Sequence, residues 1–257
     1  MGTGIVLETQ EGPVERPDDN PDQGKIWDER HGQGWLTDRK TGQEKPPEAH
    51  FLDFLERYGS QIGPRVLDAA CGPARHTTVL AQRGLNVTGV DISPVSIEQA
   101  KQRLQAKGLD PNIVEVGDLY HLEFADREFD TVVNIQTLGH MSWQKAKEAF
   151  GEMSRVLKPE GLFFLRVRSN SRPLREGEDT EIPDDNSDLP EDERGISYAR
   201  SYGAERAPNH SYSLPELQWL ASQNGLQIVG EPLDEQRFRD GAWTKGQWNV
   251  VFRKEVN

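Results

Sequence analysis

The chain has 257 residues, a formal net charge of −13 and 34% hydrophobic residues, with a mean hydropathy of −0.76. This length suits one α/β domain with insertions, and the acidic charge disfavours nucleic acid as a partner because it would repel a phosphate backbone. The single cysteine, Cys71, excludes an internal disulfide and a four-cysteine metal site.

The N-terminal region is polar and contains several prolines and glycines. Residues 1–24 show no apolar period, which predicts a tail without regular structure. They lack a signal-peptide pattern, and no apolar run in the chain approaches the ~18–20 residues that span a bilayer, so we expect a cytoplasmic protein without a membrane partner. Trp27 and Trp35 follow in a polar stretch, and we expect these large apolar side chains to pack against another surface of the protein. We assign residues 1–45 to an N-terminal segment.

From residue 46 to 257 the chain alternates apolar strands with helical patterns, which predicts one domain. The predicted helices cover 46–59, 76–83, 93–108, 142–157 and 213–225. The predicted strands cover 64–69, 86–91, 112–116, 129–135, 162–168, 226–229 and 249–253. This alternation indicates right-handed crossovers, a parallel sheet and a crevice at the carboxyl ends of its strands. The last two strands leave no room for a crossover helix, so we expect them to form an antiparallel hairpin.

The alternation is interrupted at residues 169–212. Ten acids and no basic residue lie between Glu176 and Glu193, which predicts a solvated loop or a poorly ordered lid. Tyr198, Tyr202 and Tyr212 mark the return of order. We treat 169–212 as an insertion that leaves from the ligand side of the sheet.

The first predicted strand leads into the stretch Arg65-Val-Leu-Asp-Ala-Ala-Cys-Gly-Pro-Ala-Arg-His-Thr77, a strand, a turn of small residues and a helix start. Such a turn is typical of nucleotide sites. Asp68 before the turn would repel a pyrophosphate and therefore favours a cationic ligand. Asp91 ends the next strand, nineteen residues after Gly72, a spacing that suits a carboxylate on a ribose diol.

Together with Gly117-Asp118-Leu119, this stretch resembles the first motif of the class I S-adenosylmethionine (SAM)-dependent methyltransferases, and the resemblance covers roughly residues 60–168. It implies an α/β, Rossmann-like sheet of seven strands with the last one antiparallel and helices on both faces. It also implies an enzyme that transfers a methyl group from SAM to a nitrogen or oxygen atom of a small-molecule acceptor.

The resemblance further implies a set of cofactor-binding residues, which are Asp68, Ala70, Gly72, Asp91, Ile92, Asp118, Leu119 and Asn134. Within this set, Asp68 and the turn hold the methionine part, Asp91 the ribose hydroxyls, Asp118 the adenine and Asn134 the amino-acid end. The chain departs from the family pattern at Ala70 and Ala74, where glycines are usual. The methyl group of Ala74 stands where the backbone meets the ligand.

The residues after the fourth strand resemble the corresponding stretch of quinone O-methyltransferases, in which acids and a histidine bind a metal. Gln136 and Gly139 replace those acids, so we expect no metal. His140 is the candidate catalytic residue, as a base that accepts a proton from the acceptor. A structural histidine that bonds the loop is the alternative.

Three further residues are candidates for binding the molecule that accepts the methyl group. Arg168 ends the fifth strand at the crevice and meets either a substrate carboxylate or the acidic insertion. Tyr202 in the insertion and Trp243 in the loop between the last two strands are candidate aromatic contacts, the alternative for Trp243 being hairpin packing. We expect the insertion and the segment around Trp27 to close over the crevice, although packing of Trp27 on the sheet edge is the alternative.

Three other functions remain open from the sequence. An RNA methyltransferase would need a local basic patch to override the net charge. A nicotinamide-dependent oxidoreductase would share a similar sheet, and a non-catalytic partner would bind SAM without chemistry. The sequence predicts no particular oligomeric state.

Overall fold

The computed structural model describes residues 23–32, 44–171, 180–181, 189–202, 205–239 and 242–256. Six helices are α1 Gln23–Gly32, α2 Ala49–Tyr58, α3 Arg75–Gln82, α4 Pro94–Ala106, α5 Trp143–Arg155 and α6 Leu214–Gln223. The strands are β1 Arg65–Ala69, β2 Asn86–Asp91, β3 Val114–Val116, β4 Phe129–Ile135, β5 Leu157–Arg168, β6 Thr180–Glu181, β7 Ile196–Tyr202, β8 Glu205–Ser211, β9 Leu226–Ile228, β10 Leu233–Arg239 and β11 Ala242–Lys254. No described helix has the length and apolarity to cross a membrane.

The main sheet has the strand order β10-β11-β5-β4-β1-β2-β3, and β9 also pairs with β11. All the pairs among β1 to β5 are parallel. β11 runs antiparallel to β5, β9 and β10, so it is the reversed strand. This arrangement confirms the predicted mixed α/β sheet and its antiparallel end.

The sheet has eight strands, one more than predicted. The additional strand is β10, which lies in the stretch expected to be a loop between the last two strands. Its sequence, Leu-Asp-Glu-Gln-Arg-Phe-Arg, is mostly polar because the strand forms the edge of the sheet and pairs only with β11 among the described strands. A reading based on apolar runs therefore misses it.

Helices cover both faces of the sheet. On one face, α5 contributes Phe150 and α6 contributes Leu217 to the largest apolar cluster, which also contains Phe163 and Phe252 of the sheet. On the other, α2 contributes Phe51 and Phe54 to a second cluster. The predicted capping box of α6 is present, with reciprocal hydrogen bonds between Ser213 and Glu216.

The insertion contains more regular structure than predicted. β6, β7 and β8 form a small antiparallel sheet, and residues 209–213 are buried against the domain. The sequence of these strands has no apolar alternation, and their described buried side chains, Ser197 and 209–211, are polar. Residues 172–179 and 182–188, most of the acidic segment, lie outside the described residues, as does Trp35.

In the turn after β1, every second residue has a left-handed backbone conformation. Ala70, Gly72 and Ala74 have φ angles of 64°, 53° and 59°. This geometry favours glycine at the two alanine positions. A non-glycine residue in this region costs roughly 1–2 kcal/mol.

Replacing Ala74 by glycine should nevertheless leave the stability nearly unchanged. Glycine relieves roughly 1–2 kcal/mol of backbone strain, but it increases the entropy of the unfolded chain and removes a methyl group that is fully buried in an apolar cluster, worth about 0.8 kcal/mol. Urea denaturation measures the change. The matched control is Ala81→Gly in α3, which should lose about 1 kcal/mol instead. A loss of stability in both variants would contradict the prediction.

Candidate functional site

A cavity of about 940 Å³, counting the part open to solvent, lies at the carboxyl ends of β1, β2 and β4. This is where parallel α/β sheets bind ligands. Seven of the predicted site residues line it: Ala70, Gly72, Asp91, Ile92, Asp118, Leu119 and His140. The structure thus brings these seven predicted residues together at one edge of the sheet.

Asp91 connects the turn to the end of β2. Its carboxylate accepts hydrogen bonds from the backbone N–H groups of Gly72 at 2.9 Å and of Ser93 at 3.0 Å. Burial raises the pKa of Asp91, and these two backbone hydrogen bonds oppose the rise. The result is a rigid carboxylate on the cavity wall, which can accept hydrogen bonds from ligand hydroxyl groups.

Asp118 shapes the neighbouring part of the wall. Its carboxylate accepts from the backbone N–H of Tyr120 at 2.9 Å, and this local turn brings Leu119 and Tyr120 to the cavity. Burial, with Asp118 and Glu148 as nearby negative charges, raises the pKa of Tyr120, so its hydroxyl stays neutral. This wall offers an acceptor carboxylate beside apolar and aromatic surface.

Two predicted cofactor-binding residues lie behind the wall. The Asp68 carboxylate is buried and accepts from the Thr77 hydroxyl at 2.6 Å, and the Asn134 amide donates to the Ala69 carbonyl at 2.8 Å. Neither residue lines the cavity described above. Both therefore brace the turn, and the Asn134 side-chain oxygen has no hydrogen-bond partner among the described residues.

Burial raises the pKa of Asp68 to about 6, with Asp91 adding to the rise and the Thr77 hydrogen bond opposing it. The folded pKa lies above the ordinary value of 3.8. The protonated carboxyl therefore favours the folded state, and its stabilising contribution is complete below about pH 4 and is lost as the pH rises through about 6.

In the wild type, the free energy of unfolding should consequently decrease between about pH 4 and 6. Asp68→Asn should abolish this decrease. At pH 8 we expect the free energy of unfolding to rise by about 1–2 kcal/mol, since each pKa unit is worth about 1.4 kcal/mol and the weaker bond to Thr77 offsets part of it. Urea denaturation across this pH range tests the change, with the exposed Asp53→Asn as control. An unaltered pH slope in Asp68→Asn would refute it.

His140 and Trp27 form the opposite side of the cavity. Their rings make an edge contact with centroids 5.0 Å apart, and Met141 lines the cavity beside them. His140 Nδ1 lies 3.0 Å from the side-chain oxygen of Asn209, a buried residue of β8. The insertion therefore contacts the site directly.

Helix α1 is fastened beside the cavity by Asp28. Its carboxylate accepts from the Ser93 hydroxyl at 2.5 Å and from the backbone N–H of Val95 at 3.2 Å, at the N-terminus of α4. A carboxylate is favourable there because it satisfies free N–H groups and opposes the helix dipole. This contact holds Trp27 at the wall of the cavity.

A cluster of three polar side chains, which the sequence analysis did not predict, lies at the end of β4. Arg75 and Gln136 line the cavity, and both donate to the Glu48 carboxylate, at 3.1 and 3.2 Å. Gln136 has a φ angle of 62°, a strained conformation of the kind that clusters at functional sites. No spacing rule connects these residues, since Glu48 comes from the segment before α2.

The predicted acceptor residues are not assembled at the cavity. Arg168 does not line it, and the Arg168 Cβ lies behind Gly139, 3.5 Å from where a Cβ on that glycine would stand. Tyr202 and Trp243 belong to β7 and β11, but their side chains lie outside the described residues. The described residues contain no group of three or more side chains suited to a metal ion.

Residues 66–161 match the model of a family described as a methyltransferase domain. Methyltransferase GfsG of Streptomyces halstedii is 33% identical over 110 residues, which are 42% of this chain and 39% of that protein. A sterol 24-C-methyltransferase of Schizosaccharomyces pombe is 36% identical over 118 residues, 44% of this chain and 30% of that protein. The chain thus matches well under half of the length of these relatives.

Solved structures share the fold at low sequence identity. The CcbJ methyltransferase of Streptomyces caelestis has a TM-score of 0.64 at 17% identity and covers 92% of this chain and 100% of its own. The Burkholderia thailandensis 1,6-didemethyltoxoflavin-N1-methyltransferase, solved with 1,6-didemethyltoxoflavin and S-adenosylhomocysteine (SAH), has a TM-score of 0.62 at 18% identity. It covers 98% of this chain and 99% of its own. At these sequence identities, the two structures show that this chain shares their fold.

Proposed function

We propose that this chain, a member of the class I SAM-dependent methyltransferases, transfers a methyl group from SAM to a nitrogen or oxygen atom of a small molecule. The observation that carries the proposal is the cavity at the carboxyl ends of β1, β2 and β4. Its wall combines the carboxylates of Asp91 and Asp118 with a histidine on the opposite side.

The residues of the cavity fit SAM. Asp91 would accept from the ribose hydroxyls, and Asp118 with Leu119 would hold the adenine. The backbone of Ala70 and Gly72 would lie against the methionine part, and the Arg75 guanidinium on the same wall suits a carboxylate. When bound, SAM supplies an activated methyl group, so the protein has chiefly to orient the acceptor and exclude water.

His140 is the residue that we assign to proton transfer. A neutral imidazole at the cavity can accept the proton of an O–H or N–H acceptor. Trp27 and Met141 beside it provide apolar surface that excludes water from this side. Segment 169–212 contributes through Asn209, and α1 contributes through Trp27.

The lining favours a small acceptor with a flat apolar body. Trp27, Tyr120 and Met141 present two aromatic rings and a thioether, which suit such a molecule. Two of the relatives act, by their names, on a sterol and on 1,6-didemethyltoxoflavin. The net charge of −13 opposes an RNA acceptor.

Two measurements test this proposal. Calorimetry with SAH and with NAD distinguishes the cofactor classes, and we expect binding of SAH alone. Tritiated methyl transfer from SAM into a low-molecular-weight extract and into total RNA distinguishes the acceptor classes, and we expect label in the small-molecule fraction. Binding of NAD without SAH, or label confined to RNA, would overturn the proposal.

A further inference from the structure

Asn209 of β8 is the described residue whose side chain is placed to control the protonation of the His140 ring. It is fully buried, and its amide oxygen lies 3.0 Å from His140 Nδ1. A carbonyl oxygen only accepts hydrogen bonds, so Nδ1 carries the hydrogen in this pair. In a neutral ring the lone pair then resides on Nε2.

The position of Asn209 is fixed by a network within the insertion. The next residue, His210, contacts the Ser197 hydroxyl at 2.8 Å through Nδ1 and the Glu216 carboxylate at 3.0 Å through Nε2. All three side chains are buried. The network attaches β7 and β8 to the start of α6, so Asn209 is held by the domain itself.

The turn that carries His140 is attached to the same element. The Tyr212 hydroxyl donates to the Leu138 carbonyl at 3.2 Å. A Cβ on Gly139 would lie 3.3 Å from the backbone oxygen of His210, which shows how closely the turn approaches β8. The histidine and its partner therefore have a fixed separation.

We propose that Asn209 is a positioning residue, which selects the Nδ1–H tautomer of His140 and so presents Nε2 as the proton acceptor. The inference deepens the proposed function and relies on it for the role of the base. In the step, the proton would leave the acceptor atom for Nε2, and the electron pair of that bond would remain on the acceptor atom. An electron pair of this atom would form the new bond to the methyl carbon as the bond from that carbon to sulfur breaks and leaves its pair on the sulfur of SAH. The positive charge of the sulfonium is thereby replaced by that of an imidazolium.

The tautomer is observable without any acceptor. In nitrogen-15 NMR of the ring at pH 8, we expect His140 of the wild type to show the Nδ1–H pattern, with the resonance identified by its loss in His140→Gln. Asn209→Leu keeps a similar volume and removes the acceptor, so the ratio should invert to the Nε2–H form that free histidine favours. Asn209→Asp restores an acceptor and should restore Nδ1–H.

Tyr212→Phe is the matched control, because it removes a hydrogen bond to the same turn without touching the ring. It should leave the tautomer unchanged. Where an extract fraction accepts methyl groups, Asn209→Leu should lower the rate about 10–100-fold, a part of the 10²–10⁴ that a general base contributes. SAH affinity should stay within about threefold of wild type, since Asn209 does not line the cavity.

Two results would overturn the inference: an Nε2–H pattern in the wild type, or an Nδ1–H pattern that persists in Asn209→Leu. Failure of the wild type to bind SAH is a different result. It would refute the proposed function, while the tautomer measurement would still decide whether Asn209 controls the ring.

Discussion

Glu216→Ala should lower the free energy of unfolding by about 3–5 kcal/mol, because it leaves two buried donors without their acceptor and each costs roughly 1–3 kcal/mol. The Glu216 carboxylate is fully buried and accepts from His210 Nε2 and from the backbone N–H of Ser213. Without it, His210 and the first turn of α6 lose their acceptor. Since domains are stable by only about 5–15 kcal/mol, much of the total stability depends on this residue.

The Glu216 carboxylate also affects how the free energy of unfolding depends on pH. Burial alone would raise the pKa of Glu216, but hydrogen bonds from His210 and from the backbone of Gly195 and Ser213 outweigh it and lower the pKa. A folded pKa below the unfolded one means that the contribution is present above the ordinary glutamate pKa of 4.5 and is lost as the pH falls through the folded pKa.

Urea denaturation of Glu216→Ala at pH 7 measures the loss of stability, and the acid side of the profile measures the linkage. Glu148→Ala is the control, because this glutamate is 53% exposed and its pair with Lys145 is worth little. A loss below 1 kcal/mol in Glu216→Ala would show that the insertion is not anchored through this network.

Asp91→Ala should weaken SAH binding at least about 100-fold, or about 2.7 kcal/mol. The carboxylate would lose its bonds to the ribose hydroxyls, and charge-assisted bonds of this kind contribute roughly 1.5–3 kcal/mol each. The Gly72 N–H would also lose the partner that fixes the turn. Calorimetry measures the change in dissociation constant.

Asp91→Asn is the graded control, since it retains one oxygen acceptor and should lose less affinity. Glu98→Ala on the adjacent helix α4 removes an exposed carboxylate and should leave binding unchanged. Thermal unfolding verifies that each variant is folded. Affinity within threefold of wild type in Asp91→Ala would exclude this residue from the cofactor site.

The sequence predicts the ligand edge of the fold well, because apolar runs and turn residues determine it locally. β2 and β4 have the predicted boundaries, 86–91 and 129–135. The capping residues Ser93, Ser142 and Ser213 accept the expected backbone hydrogen bonds. Each of these signals lies within a few residues of the feature that it predicts.

The parts that the sequence analysis missed depend on contacts between distant segments. Asn209 approaches His140 across 69 residues, and Glu48 approaches Gln136 across 88. β8 contains Glu-Arg-Ala-Pro-Asn-His-Ser, which has no apolar alternation, and its described buried side chains, Asn209 to Ser211, are polar. The hydrogen bond from the Thr77 hydroxyl to the buried Asp68 carboxylate is likewise visible only in the folded chain.

The edge contact between Trp27 and His140 gives the site an optical reporter of its own. Indole fluorescence is quenched by a protonated imidazole and much less by a neutral one, and these two ring centroids are 5.0 Å apart. The chain has six tryptophans, so the part of the emission that is lost in Trp27→Phe is expected to follow the charge on His140. Because α1 holds the indole in place through Asp28, the intensity also registers whether the helix is docked, so light emission reports the charge of the ring and the docking of α1 in a protein without label or substrate.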